Sequence, residues 1–209
     1  ILYSQSEMTL VLNGGGNFVD IKTSLLKQAS VYLYSNGTVE VGINSKGLNT
    51  KIQLWSCATF KAGSATNLNN ANIACQVFSS MSIGNDCLFS FEEMVYAGDG
   101  HAIFELCDSK GTNRRLNPPE NDNLTIGNHV WLGYRCHILP GSVIGDGSIV
   151  GAGSLVNKKF PNNCIIAGVP AKIIQKNRAW SAHPLYKDLQ SDALAFENYA
   201  HLTEEGKNE

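Results

Sequence analysis

The stretch IGNHVWLGYRCHILPGSVIGDGSIVGAGSLV, residues 126–156, follows a strict six-residue rhythm. An aliphatic residue opens each hexad, glycine usually follows it, and a small or apolar residue stands at the fifth place. The aliphatic positions are Ile126, Leu132, Ile138, Ile144, Val150 and Val156, and the fifth places are Val130, Cys136, Ser142, Ser148, Ser154 and Phe160. An unbroken series of this kind predicts a structure built by stacking one repeated unit.

A hexad suits a triangular coil in which each six residues form one short strand and one corner. About three hexads then close a turn, and successive turns stack at the ordinary strand spacing of roughly 4.8 Å. Side chains along a strand alternate in direction, so the aliphatic and fifth-place residues point inward together. The sequence therefore predicts an all-β protein, a parallel β-helix whose core is a column of aliphatic side chains.

The rhythm extends upstream of this stretch with less regularity. VYLYSNGTVEVGI, residues 31–43, alternates like strands around an Asn-Gly turn and is typical of a coil strand pair or a hairpin. We expect the coil to begin early in the chain. The predicted inward positions are Val77, Ile83, Phe89 and Val95, and more loosely Leu48, Leu54 and Phe60.

Two departures from the rhythm divide the chain. The interval between Val95 and Ile126 is not a multiple of six, so an excursion loop is predicted at about residues 97–123. After Lys158 the rhythm loosens, and it returns once in CIIAGVPAKII, residues 164–174. We expect a β-helix domain over residues 1–176 and a helical tail over residues 177–209 that caps the last coil.

The outward positions of the hexads are unusually apolar. Trp131 and Ile149 are three hexads apart, so they should stack on one face, with Gly133 and Gly151 beside them and Ala152 next in the chain. Such a groove would suit an extended, partly apolar ligand, a subunit interface, or both. The outward set as a whole is Trp131, His137, Val143, Ile149 and Leu155.

The charge distribution points to small anionic groups. The formal net charge is only -2 and charged residues make up 16% of the chain, which argues against polymeric nucleic acid as a partner. Between Asp146 and Asp188, however, the charged residues are all basic. Such an edge suits phosphate groups, or is simply a solvated face. They are Lys158, Lys159, Lys172, Lys176, Arg178 and Lys187.

A basic edge beside an apolar groove fits coenzyme A, a phosphate-rich nucleotide on a thin pantetheine arm.

The sequence carries no apolar run of bilayer length and no secretory signal, and its six cysteines form no CxxC pair. We expect a cytoplasmic protein with reduced thiols and no stable membrane insertion.

The hexads followed by AGVPAKII resemble the left-handed β-helix, or hexapeptide-repeat, acyltransferase superfamily. DGHAIF, residues 99–104, ahead of HVWLG, residues 129–133, is similar to the bacterial O-acetyltransferases that modify capsular polysaccharides, polysialic acid included. The resemblance covers residues 77–180. It implies a left-handed coil, a homotrimer, acetyl-CoA bound between neighbouring subunits, and a saccharide hydroxyl as the acetyl acceptor.

The resemblance also implies roles for individual residues. His101 would be the catalytic base, Trp131 would contribute to the active site, and Lys172 would lie near the coenzyme phosphates. Gly133, Ile149, Gly151, Ala152, Lys158 and Lys159 complete the predicted coenzyme site. Asp99 or Glu105 would orient the imidazole or simply face solvent, and Asp99 is also a candidate to meet the acceptor. Arg114 and Arg115, in the long loop, would meet an acidic acceptor or form a solvated arginine pair.

Three other interpretations stay open at this stage. Zinc carbonic anhydrases share this architecture and bind metal through three histidines, for which His101, His129 and His137 are the candidates, but the spacing does not resemble that family's ligand set and we expect no metal. The chain could be a non-enzymatic scaffold. An acetyltransferase could also act on a small acceptor such as a nucleotide-linked amino sugar, a free sugar or an antibiotic.

Overall fold

The computed structural model describes residues 8–23, 25–109 and 123–182, and in these ranges the chain winds through short parallel strands arranged as three sheets. The first sheet holds β1 (Thr9–Leu12), β4 (Ser30–Leu33), β7 (Lys51–Leu54), β9 (Asn72–Cys75), β12 (Met94–Ala97), β15 (His137–Ile138) and β18 (Leu155–Val156). The second sheet holds β2 (Phe18–Ile21), β5 (Thr38–Val41), β8 (Thr59–Ala62), β10 (Ser80–Ile83), β13 (Leu124–Ile126), β16 (Val143–Ile144) and β19 (Lys159–Phe160).

The third sheet holds β3 (Leu25–Lys27), β6 (Lys46–Leu48), β11 (Leu88–Phe89), β14 (Trp131–Leu132), β17 (Ile149–Val150), β20 (Cys164–Gly168) and β21 (Ala171–Lys176). Parallel bridges through Asn67 link β6 to β11, so the sheet is continuous. Consecutive strands of the chain visit the three sheets in turn. The predicted parallel β-helix is therefore confirmed.

Equivalent residues of successive coils lie directly over one another and form the core. In the first sheet this column is fully buried, and each of its side chains contributes roughly 1.5–3 kcal/mol by leaving water. The column runs Val31, Ile52, Ile73, Val95, Ile138 and Val156. The aliphatic and fifth-place residues of the hexads are all buried, as the period-two alternation predicts.

The coil length changes along the chain, and this makes two predicted core positions wrong. In a later coil, the register partners Leu132 and Val150 are three hexads apart in the sequence. In an early coil, the partners Val31 and Ile52 are three and a half hexads apart. Val77 is 47% exposed and Leu48 45% exposed, so neither faces the core. The strands of the early coils span three or four residues where those of the later hexads span two, so a six-residue count started from the later hexads loses phase there.

One corner is held by a ladder of side-chain amides and carboxylates. The backbone N–H of Asn85 donates to Asn128 Oδ1 at 2.9 Å, and that of Asn128 donates to Asp146 Oδ1 at 2.7 Å. Asp146 in turn donates its N–H to Asn162 Oδ1 at 3.0 Å. Short Asx side chains suit this place because they accept a hydrogen bond from a turn without filling the corner.

The excursion and the two ends of the coil follow from the strand bounds. The chain leaves the first sheet after Ala97 and enters the second at Leu124, within the predicted loop range. At the other end β20 continues the coil, but β21 reverses through the Val169–Pro170 turn and pairs antiparallel with it. The predicted helical tail lies outside the described residues after Ala182. No helix of the described ranges is long and apolar enough to cross a membrane.

Candidate active site

A groove on the third sheet brings together most of the predicted coenzyme site. Trp131 pairs with Ile149, and Leu132 pairs with Val150, so Gly133 stands over Gly151. A Cβ on Gly133 would lie 2.7 Å from the Val150 carbonyl oxygen and 2.8 Å from the Ala152 nitrogen, which no side chain tolerates. Glycine at these places lets successive coils approach closely, and the two glycines form a row without side chains beside the indole, which is 37% exposed.

This row continues to a lysine. Val150 pairs with Ile166, which places Ala167 next to Gly151, and Ala167 pairs with Lys172 across the terminal hairpin. Lys172 thus lies at the end of the row on the same sheet as Trp131. A cation at one end of a row of very small residues matches a ligand that is thin in the middle and anionic at its end.

The remaining lysines of the predicted basic edge lie elsewhere. Lys159 belongs to β19 of the second sheet, and Lys158 precedes it with its ammonium 5.5 Å from the centre of the Phe160 ring. The hairpin and β19 are on different faces of the coil. The structure therefore separates Lys158 and Lys159 from the row that ends at Lys172.

The indole of Trp131 is fixed by a hydrogen bond. Its Nε1–H donates to Ser90 Oγ at 3.0 Å, a residue of the preceding coil. Acyl transfer builds negative charge on an oxygen, which this indole N–H or a backbone N–H could stabilise. Since Ser90 accepts from the indole, the geometry favours the backbone.

A second tryptophan, absent from the sequence predictions, packs over the first. The Trp180 and Trp131 ring centroids are 6.0 Å apart at an interplanar angle of 49°. Trp180 also stacks on His129, with the ring centroids 4.2 Å apart and the rings nearly parallel at 8°. Its Nε1–H donates to the His129 carbonyl oxygen at 2.7 Å. The segment after β21 therefore folds back and walls the groove.

His129 is buried, with 5% of its surface exposed, and both ring nitrogens meet acceptors. Nδ1 lies 2.8 Å from Asp86 Oδ2, and Nε2 lies 2.9 Å from the Trp180 carbonyl oxygen. The carboxylate and the carbonyl both accept hydrogen bonds, so an imidazolium ring, which has two N–H groups, could donate one to each of them. We call His129, Asp86 and Trp180 the tryptophan clamp.

The clamp had a signal in the sequence. IGND, residues 83–86, and IGNH, residues 126–129, are the same unit, and the structure pairs Ile83 with Ile126. Asp86 and His129 are the fourth residues of these units, so stacking the units places Asp86 next to His129. Of the histidines considered for zinc, His129 belongs to this clamp and His137 to β15 of the first sheet. No three metal-binding side chains converge in the ranges that the structure describes.

His101 lies in the excursion loop, exposed to solvent, four residues after the end of β12. Asp99 precedes it in the same exposed turn. β12 belongs to the first sheet, whereas Trp131 lies in β14 of the third sheet. One chain thus attaches its loop histidine and its groove tryptophan to different faces of the coil. Arg114 and Arg115 lie outside the described residues.

The sequence of this chain is similar to those of known proteins. Residues 123–158 match the family described as bacterial transferase hexapeptide (six repeats). The chain is 31% identical over 150 residues to the putative lipopolysaccharide biosynthesis O-acetyl transferase WbbJ of Escherichia coli K12, a match that covers 69% of this chain and 75% of that protein. The chain belongs to the hexapeptide-repeat acetyltransferases.

Other members extend the likeness. The polysialic acid O-acetyltransferase of Escherichia coli O1:K1 is 34% identical over 125 residues, which span 60% of this chain and 39% of that protein. The crystal structure of the polysialic-acid-specific acetyltransferase NeuO superposes with a TM-score of 0.72 at 23% identity and covers 96% of this chain and 94% of its own. The fold is therefore the left-handed β-helix of this acetyltransferase family.

Proposed function

We propose that this protein transfers an acetyl group from acetyl-CoA to a hydroxyl of a saccharide, with a capsular or surface polysaccharide such as a sialic acid polymer as acceptor. The carrying observation is the row of glycines beside Trp131 that ends at Lys172, because a row without side chains and a terminal cation match the shape and charge of the coenzyme. The acceptor class is supported by the names of the relatives, which act on polysialic acid or in lipopolysaccharide biosynthesis.

The pantetheine arm would lie along the row. Gly133 and Gly151 remove side chains where the arm passes, while Trp131 and Ile149 supply apolar contact beside it. Lys172 would bind a phosphate as a point charge. Lys158 and Lys159 lie on the neighbouring sheet, so we expect them to contribute less to coenzyme affinity than Lys172.

His101 would act as the general base. Its imidazole accepts the proton of the acceptor hydroxyl as that oxygen attacks the thioester carbonyl carbon. The tetrahedral intermediate then collapses, the carbon–sulfur bond breaks, and the proton passes from the imidazole to the departing thiolate. The products are an acetyl ester and free coenzyme A, and no acyl group is attached to the enzyme.

The reaction would take place between subunits of a homotrimer in the bacterial cytoplasm. The support is that His101 and Trp131 leave the coil on different faces, so that neighbouring copies could supply one residue each. Such a site is complete only in the assembly.

Thiol release from acetyl-CoA tests the proposal. The purified protein is offered polysialic acid, neutral capsular oligosaccharides, amino sugars, chloramphenicol or no acceptor. We expect release only with a polysaccharide, and a loss of about 10²–10⁴-fold in His101→Ala, the usual contribution of a general base. Release that requires a small acceptor would instead establish the small-molecule acetyltransferase.

The matched control separates chemistry from folding. His101→Ala should bind acetyl-CoA with unchanged affinity and unfold at the same urea concentration, because the side chain is exposed and lies outside the coil. Wild-type turnover by this variant would exclude His101 as the base. No coenzyme binding by the wild-type protein would favour the scaffold interpretation.

The paired arginines can be tested with the same assay. If Arg114 and Arg115 bind an acidic acceptor, the double variant Arg114→Ala, Arg115→Ala loses the preference for polysialic acid over neutral oligosaccharides. In the wild type, added salt should weaken the same preference, because salt screens the charges. Unchanged selectivity would identify a solvated arginine pair.

A further inference from the structure

One corner of the early coils is aligned with the base of the loop that carries His101. The chain leaves the first sheet at this corner in each coil, and backbone hydrogen bonds between coils align the first residue after each strand. Successive coils are about 4.8 Å apart. The loop therefore begins at one end of a straight column of residues. The column runs Tyr34, Trp55, Gln76 and Gly98, one residue per coil.

Two residues of this column are aromatic and stack on each other. The ring centroids of Tyr34 and Trp55 are 6.2 Å apart, and the rings are within 14° of parallel. At this separation an aromatic pair is offset, so the rings cover each other only in part. Tyr34 remains 41% exposed. Parts of the ring faces are thus open to a ligand.

The next coil adds a third ring at the same corner. Asn36, Cys57 and Phe78 occupy equivalent places in successive turns, each with a left-handed backbone at φ values of 58°, 59° and 62°. Phe78 is 45% exposed. We call Tyr34, Trp55 and Phe78 the aromatic corner. Large apolar side chains exposed together in this way are typical of a binding surface.

Gln76 connects the aromatic corner to the loop of His101. A Cβ on Gly98 would lie 2.8 Å from Gln76 Cβ, and a Cβ on Gly100 would lie 3.8 Å from Gln76 Nε2. The amide of Gln76 therefore reaches the residue before His101. An amide both donates and accepts hydrogen bonds. A ligand that extends from His101 along the coil axis would meet this amide first and the aromatic rings next.

The composition of the corner indicates the class of ligand. Its turns, residues 34–37, 55–58 and 76–79, contain no charged residue, and their polar groups are hydroxyls, amides and one thiol. A sugar ring carries hydroxyls around its rim and C–H groups on its faces. The faces of aromatic rings are electron-rich and attract such C–H groups. An apolar subunit contact would not need the amides and hydroxyls that lie between the rings.

We propose that the aromatic corner binds the sugar units next to the one that is acetylated, so that a polysaccharide acceptor lies along the coil axis. This inference rests on the proposed function, in which transfer takes place at His101. Gly98 and Trp55 are two coil spacings apart, about 10 Å, which is close to the length of two sugar rings. The corner would give the enzyme a preference for chains over single sugars.

Saturation-transfer NMR without acetyl-CoA tests the site. The probes are sialic acid, its hexamer, glucose and maltohexaose, each titrated into the full chain. We expect at least one hexamer to bind about tenfold more tightly than its monomer, with saturation passing from aromatic protons to its ring C–H protons. Trp55→Leu keeps apolar bulk but removes the ring, and should weaken binding of that hexamer about fivefold or more. Trp55→Phe keeps a ring and should retain most of the affinity.

Ile43→Ala is the matched control. Ile43 is 54% exposed and lies at the corner after the second sheet, on the same early coils as Tyr34. Its removal takes away an exposed apolar side chain of comparable accessibility but no ring at the proposed site. Binding of both hexamers should be the same in this variant as in the wild type. Added salt should not change the affinity ratio between wild type and Trp55→Leu, because the corner is uncharged.

The proposal is overturned if neither hexamer binds more tightly than its monomer, or if Trp55→Leu binds the hexamer as the wild type does. It is also overturned if Ile43→Ala loses as much affinity, or if Trp55→Leu has a smaller mass in light scattering, which would assign the corner to a subunit contact. Because acetyl-CoA is absent, Trp55-dependent binding would stand even if the transfer assay failed. Transfer without Trp55-dependent binding would refute only this inference.

Discussion

His101 and His129 differ in their surroundings, and the difference decides which of them we propose as the base. His101 is exposed in the excursion loop, where an imidazole can exchange protons with a substrate. His129 is buried, and both nitrogens are bound to acceptors. Because both nitrogens of His129 are engaged, its geometry assigns it to holding Trp180, and our proposal places proton transfer at His101.

Glu93 gives the protein a pH-dependent stability. Its pKa is raised from 4.5 to about 7 by burial, so the folded state holds this proton more tightly than the unfolded state. The wild type is therefore most stable below about pH 4.5 with respect to this group, and loses up to about 3 kcal/mol as pH rises through 7. Glu93→Gln should remove this loss and be more stable than the wild type at pH 8.

Urea unfolding of both proteins at pH 5 and pH 8 measures this effect. Glu40→Gln provides the comparison, because its side chain is 37% exposed and paired at the surface. We expect that variant to follow the wild type at both values. A Glu93→Gln variant with the wild-type pH dependence would mean that Glu93 is ionised in the folded protein at no cost.

Lys172 should act on the nucleotide end of the coenzyme only. Lys172→Ala is expected to raise the KM for acetyl-CoA roughly tenfold through the loss of one charge-assisted contact, with kcat little changed. S-acetylpantetheine lacks the nucleotide phosphates, so its KM should be the same in variant and wild type. Lys61→Ala, on the second sheet, is the control. An equal rise for both donors would argue against a phosphate contact.

At the scale of elements, the groove depends on a segment that is not part of the coil. β21 reverses the chain, and the residues after it return over β14 because the tryptophan clamp holds Trp180 there. Hydrogen bonds and ring stacking thus connect the corner between the second and third sheets, the third sheet itself, and the last described residues of the chain. We therefore expect the clamp to couple coil stability to the shape of the groove that we propose for the coenzyme.

Weakening the clamp should affect both properties together. Asp86→Asn replaces the carboxylate that meets His129 Nδ1 with a neutral amide, and we expect about 1–3 kcal/mol less stability from the loss of a charge-assisted bond. Tryptophan emission should shift to longer wavelength as Trp180 becomes wetter. Asp20→Asn, an exposed second-sheet residue, should alter neither. Unchanged emission in Asp86→Asn would show that Trp180 is held without this carboxylate.

For the whole molecule, the positions of His101 and Trp131 predict a dependence on assembly. Subunits in an active trimer would each provide the histidine of one site and the tryptophan of another. Light scattering should then give three times the mass of the single chain. A monomer with full activity would contradict the shared site.

Mixing subunits tests the same point more directly. His101→Ala and Trp131→Ala should each be nearly inactive alone, but random trimers formed from equal amounts would contain an intact pair in about a quarter of the sites. Refolding the two variants together should therefore restore transfer, and refolding each by itself should not. Failure of the mixture, with trimers present, would place both residues of a site in one chain.

The hexads at residues 126–156 were sufficient to predict the parallel coil, its inward and outward faces, and the pairing of Trp131 with Ile149, because strand alternation and a turn of three hexads are local regularities. The burial of Glu93 and the return of Trp180 onto His129, which closes the tryptophan clamp, were decided only by the tertiary structure. The clamp joins positions 43 and 51 apart in the chain. Such contacts depend on the length of each coil, which is three or three and a half hexads, and on the position of the one excursion. A local six-residue period predicts neither of these.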